Sequence, residues 1–150
     1  VRSVTKGQVE ISFSSDISYL ELVQDVSDHI ARLVGLDAES QYWIGLSLRE
    51  SVTNAIQHGN QLDPTKLVVL RFDIQEDRLV ITVRDQGEGV DEDQLPDPLD
   101  PENLLKPGGR GIFFVRSFMD KVSFRKSAEG HEVIMEKRLN HKNQGDENDD

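Results

Sequence analysis

The chain has 150 residues, 36% of them hydrophobic, no cysteine and a net charge of −11. That length suits one domain with a real core, and the missing cysteines exclude disulfides and thiolate metal sites and fit a reducing, cytoplasmic setting. No apolar run is long enough to cross a bilayer, Val1 to Gly7 does not read as a secretory signal, and the acidic balance argues against direct non-specific nucleic-acid contact, which needs Lys/Arg to displace counterions.

Residues 1–8 read as an N-terminal arm. Val9, Ile11 and Phe13 alternate, as in a short strand. Ser14-Ser15-Asp16 offers helix caps. From Ile17 to Val34, Tyr19, Val23, Val26, Ile30 and Leu33 recur at helical spacing, and Gly35 suits the position after the helix. A second helix fits Ala38 to His58, again followed by a glycine, Gly59. Asn60 to Lys66, with Asp63-Pro64, reads as a loop.

Leu67 to Ile74 is strand-like, with Val68, Leu70, Phe72 and Ile74 on one face. Gln75 to Asp77 is a hairpin turn, and Arg78 to Arg84 returns as a strand. Asp85 to Gly109 lacks periodicity and is long for a plain connection, which fits a lid over roughly residues 91–109. Arg110 to Met119 reads as a short helix. Val122 to Arg125 and Glu132 to Arg138 form a closing hairpin around Glu129-Gly130. The charge is concentrated: Asp85 to Glu102 holds eight acids and no base, and His141 to Asp150 holds four acids and one lysine. Residues 140–150 are expected to be a disordered acidic tail. Strands that arrive as hairpins favour an α+β fold, a two-layer α/β sandwich with helices on one face of a mixed, mostly antiparallel sheet.

Three motifs carry chemistry. In the second helix, Ile44, Leu48, Val52, Ala55 and Ile56 share one side. Glu50, Asn54 and His58 share another, along roughly 12 Å of ridge; the bland alternative is a solvated polar face. Asp85-Gln86-Gly87-Glu88-Gly89 follows a strand directly. Its glycines let backbone approach a ligand, and its acid can accept a hydrogen bond from an exocyclic amine; a plain glycine turn is the alternative. Pro107-Gly108-Gly109-Arg110-Gly111 opens a helix and frees backbone N–H groups for an anion, unless it is only a hinge.

The order and spacing of the three resemble the GHKL (Bergerat-fold) ATPase superfamily. Glu50 to Gly59 resembles its N-box, Asp85 to Gly89 its G1 box and Gly108 to Gly111 its G2 box. Phe118-Met119-Asp120-Lys121-Val122 resembles the anti-sigma-factor serine/threonine kinase branch. The resemblance spans Val9 to Leu139, a histidine-kinase-like ATPase domain, and implies ATP and Mg²⁺ as cofactors. It implies Glu50 as general base, Asn54 as the Mg²⁺ ligand and Asp85 as the adenine reader. Gly87 and Gly89 would shape the base pocket, while Gly108, Gly109 and Gly111 would let the lid close. His58 is a further member of the set, with a solvent-facing helix-end histidine as its alternative.

Two positions depart from the family pattern. Gly130-His131-Glu132 stands where relatives often place Thr beside the adenine. Pro107 stands where relatives can carry Arg, so Lys106 or Arg110 would supply positive charge to the γ-phosphate. The resemblance implies a kinase that binds a sigma factor and phosphorylates a STAS-domain antagonist, with the first helix and strand as a homodimer face. A non-catalytic ATP-gated binding module and a detached ATPase half of a two-component kinase are the other readings. His29 lacks the surroundings of a phosphoacceptor histidine.

Overall fold

The computed structural model describes residues 6–87 and 115–139. The first strand, β1, runs Gly7–Ser14. Asp16 then caps a 3-10 turn, Ile17–Tyr19, its carboxylate accepting the Ser18 N–H at 2.9 Å. Helix α1 follows at Leu20–Leu33. It is closed by Gly35 at φ +77°, whose N–H donates to the Arg32 carbonyl while that of Leu36 reaches Ala31. This paired pattern satisfies carbonyls the helix leaves open. Asp37 caps α2, Ala38–Asn54, by accepting the Ser40 N–H at 2.7 Å.

Ile44, Leu48, Val52, Ala55 and Ile56 are all buried, as their spacing predicts. On α1 the inward face is Leu20, Val23, Ile30, Ala31 and Val34, whereas Tyr19 and Leu33 are exposed. At about 100° per residue, Tyr19, Leu22, Val26 and Leu33 make a second apolar stripe beside the inward one. Helical spacing alone does not separate the two.

Strands β2 (Leu67–Ile74), β3 (Arg78–Asp85), β4 (Lys121–Ser127) and β5 (Gly130–Arg138) complete a five-stranded sheet in the order β1-β2-β3-β5-β4. Every pairing among the described residues is antiparallel, so the sheet is antiparallel rather than mixed. Its inward rows are Val68, Leu70, Phe72 and Ile74 on β2, Leu79, Ile81 and Val83 on β3, and Met135 on β5, all in one core with the helix residues. Burial of these rows drives the two-layer packing.

Residues 115–118 are helical, with Val115 and Met119 buried. This segment is pinned to β5. Lys137 Nζ donates to the Phe118 carbonyl and lies 4.1 Å from its ring centre, and the Asp120 carboxylate accepts the Arg138 N–H at 2.6 Å. Within Phe118–Val122, these contacts serve docking.

Candidate active site

The site begins where α2 stops being α-helical. The chain passes through a π-helical turn, Ala55–Gly59, in which the Asn60 N–H donates to the Ala55 carbonyl five residues back. Wider turns of this kind are frequent at functional sites. The regular helix expected to reach His58 therefore ends at Asn54, and the turn breaks the four-residue ridge there. Glu50 and Asn54 are half-buried, while His58 is exposed. Burial lifts the Glu50 carboxyl above the ordinary glutamate range, and the charge of His58 pulls part of that shift back. The two side chains thus remain electrostatically coupled across the turn.

Gly59 does not take the left-handed conformation of a helix-ending glycine. The positive-φ residues here are Gln61 and Leu62, at 53° and 58°. Gly59 is small for another reason: a β-carbon on it would overlap the Asp85 carboxylate.

Asp85 continues the inward row Leu79, Ile81, Val83, so two-residue alternation carries a carboxylate to the buried face, where it is only 6% exposed. Its Oδ1 accepts the Gly87 N–H at 2.8 Å. A β-carbon on Gly87 would overlap the Gly59 carbonyl, and one on Gly130 would overlap the Asp85 carbonyl. Three backbones thus close around one acid. An aliphatic residue in that row would cost nothing to bury, whereas a carboxylate costs several kcal/mol unless well partnered (about that order for a buried ion). The fold keeps an acceptor where packing alone favours an apolar side chain, and such an acceptor fits an amine-bearing ligand.

Asn60, which the motif reading passes over, connects the two halves of this site. It is fully buried. Its Nδ2 donates to Ser15 Oγ at 2.9 Å and to the Leu67 carbonyl at 3.1 Å, and its Oδ1 accepts the Gln86 N–H at 2.7 Å. Gln86 Oε1 in turn accepts the Leu67 N–H at 2.7 Å. The end of α2 is thereby fixed to the turn that carries Asp85. An Asn directly after the N-box glycine is the only local signal for this role.

His131 lies opposite Asp85 in the β3–β5 register, its Nδ1 3.8 Å from Asp85 Oδ2 with both side chains buried. Its ring stacks on Phe124 at 5.9 Å between centres. Glu50, Asn54, Asp85 and Gly87 are therefore placed around the C-terminal end of α2 and the end of β3. Gly89, Lys106, Gly108, Gly109, Arg110 and Gly111, with Pro107 and the lid, lie outside the described residues.

An antiparallel five-stranded sheet beneath two helices is the architecture of a GHKL kinase ATPase domain. The chain belongs to the histidine kinase-like ATPase domain family, whose model matches residues 13–137. It is 30% identical over 145 residues to an anti-sigma F factor of Clostridium perfringens (strain SM101 / Type A), covering 93% of this chain and 91% of that protein. It is 28% identical over 144 residues to the serine-protein kinase RsbW of Bacillus velezensis, covering 92% and 89% respectively. Among solved structures, the RsbU and RsbW domains of a Mycobacterium tuberculosis protein superpose with a TM-score of 0.65 at 16% identity, over 89% of this chain and 32% of that one. The catalytic domain of the histidine kinase ThkA gives 0.55 at 14% identity, over 87% of this chain and 97% of that one. At these identities the structural likeness concerns the fold.

Proposed function

We propose that this chain is a Mg-ATP-dependent serine/threonine protein kinase of the anti-sigma type, which binds a sigma factor and phosphorylates a STAS-domain antagonist. The supporting observation is a conjunction. Nearly the whole chain is similar to serine-protein kinases RsbW, its central helix carries a half-buried Glu50 one turn before Asn54, and the turn that follows this helix packs Gly59 against the buried Asp85.

In this reading Asp85 accepts the adenine amine, with Gly87 and Gly89 beside the base. Glu50 accepts the proton of the partner's hydroxyl as that oxygen attacks the γ-phosphorus. The bond to the bridging oxygen breaks and ADP departs. Catalysis of this kind is mainly positioning and charge neutralisation. Asn54 offers one half-buried hard oxygen, which suits Mg²⁺, an ion that takes few protein ligands and neutralises phosphate charge when bound. Lys106 or Arg110 supplies positive charge, and Gly108, Gly109 and Gly111 let the lid fold over the phosphates. His58 modulates Glu50.

Edge strand β1, the exposed Tyr19 of the 3-10 turn and the exposed Leu22 and Leu33 of α1 form the face on which a second copy pairs. The working compartment is the cytoplasm. The decisive experiment incubates the chain with γ-labelled ATP, Mg²⁺ and a cognate STAS partner. Acid-stable label on a partner Ser or Thr, abolished by Glu50→Gln, is expected. Absence of transfer while nucleotide and partner both bind would leave a docking module instead.

A further inference from the structure

Two-residue alternation puts Lys137 in the inward row of β5, two places after the buried Met135 and opposite the buried Leu79. Its side chain is 20% exposed. A leucine or methionine there would fill the space without drawing an ammonium from water or freezing a long charged side chain. Packing therefore does not account for the lysine.

Its contacts converge on one segment. Nζ donates to the Phe118 carbonyl at 3.1 Å, lies 4.1 Å from the centre of the Phe118 ring and stands 4.0 Å from Asp120 Oδ2. That carbonyl closes the helical residues 115–118, and open carbonyls at a helix end attract a cation. The Phe118 ring also stacks on Trp43 of α2, with 6.4 Å between centres and 26° between planes. One ammonium thus ties this segment to β5 and, through the ring, to the helix that carries Glu50 and Asn54.

We infer that Lys137 is a positioning residue for the γ-phosphate. Acting through Phe118, it fastens the segment that follows the third glycine motif to the helix bearing the base and the metal ligand. This rests on the nucleotide-site reading above and adds a residue outside its three motifs. In that reading Asp85 holds the adenine at the end of β3, so Lys137 governs the triphosphate end alone. Transfer needs phosphate, metal ligand and base in fixed relation, and small misplacements are costly.

Calorimetric titration of the full chain with ADP and with AMP-PNP, in Mg²⁺ buffer, tests this. Lys137→Met keeps an apolar stem and removes the charge. Its affinity for AMP-PNP is expected to fall about 10-fold, the scale of one hydrogen bond to a charged group, and its affinity for ADP less than about 2-fold. Phe118→Leu, which removes the ring, shows the same selective loss. Lys137→Arg, which keeps a cation and a donor, restores most of the AMP-PNP affinity. Trp43 is the single tryptophan, and its emission moves to longer wavelength in Lys137→Met as the Phe118 ring loosens. A purely structural lysine would lower the unfolding midpoint and leave the ratio of the two affinities alone. An unchanged ratio in either folded variant, an Arg variant no better than the Met one, or unshifted Trp43 emission overturns the assignment. No affinity of the wild type for either nucleotide would instead sink the nucleotide reading beneath it.

Discussion

The α-carbon of Gly59 rests against the carboxylate of Asp85, so the turn that follows α2 and the end of β3 share one contact surface. Any side chain at position 59 must displace a buried acid that is itself held by the Gly87 N–H. Gly59→Ala should cost about 1–3 kcal/mol by overpacking, lowering the unfolding midpoint by several degrees (about 2–8 °C). Nucleotide affinity should fall with it. Calorimetry of both properties checks this; a variant with wild-type affinity would mean that the contact does not matter to the ligand.

Asp85 is expected to cost stability. Asp85→Asn removes the buried charge and retains an oxygen for the Gly87 N–H. Its unfolding midpoint should equal or exceed the wild type's. Its ATP affinity should drop about 10- to 100-fold, the worth of a charge-assisted hydrogen bond. Proteins commonly trade stability for function at such positions. A large loss of stability would show instead that the acid is structural.

Glu50 gives a pH signature. Burial raises its pKa, the base must be ionised to take a proton, and so transfer should fall as pH drops through a value above the ordinary glutamate range. His58 opposes that shift, so His58→Ala should move the acid limb to higher pH. The profile of kcat/KM against pH, measured for both proteins, decides. A limb that stays put or moves down removes His58 from the role.

Asn60 joins both halves of the site, and its loss should be felt in both. Asn60→Ala leaves the Gln86 N–H and the Leu67 carbonyl without their side-chain partner, at about 1 kcal/mol for each of these part-buried hydrogen bonds. Asn60→Asp keeps the acceptor for Gln86 but sets an oxygen against Leu67, and should be nearly as damaging. Urea unfolding reports the cost. A KM for ATP that rises more than kcat falls would mark displacement of the turn bearing Asp85.

The hairpins could be read from alternation because Val68, Leu70, Phe72 and Ile74 each carry the signal locally. The same holds for the buried face of α2. Asp85 and Asn54 stand out as candidate site residues only in combination, through the order of three motifs. The π-helical turn, the contact of Gly59 with Asp85 and the bonds of Asn60 were not readable. Each depends on groups distant in sequence, and the residues involved look like an ordinary helix end followed by a loop. Tyr19 and Leu33 illustrate the reverse problem: their spacing marks a helix, but their exposure depends on which side of α1 meets α2.

The pairing of β3 with β5 carries a temporal consequence. Gly59, Asp85 and His131 come from three remote stretches of chain, and the last arrives with the final strand. Such non-local closure is slow relative to helix and hairpin formation. A ribosome-bound chain that has not released β5 lacks the imidazole beside the acid. A ligand that binds only the form in which β3 and β5 are paired therefore holds the later strand in place by mass action.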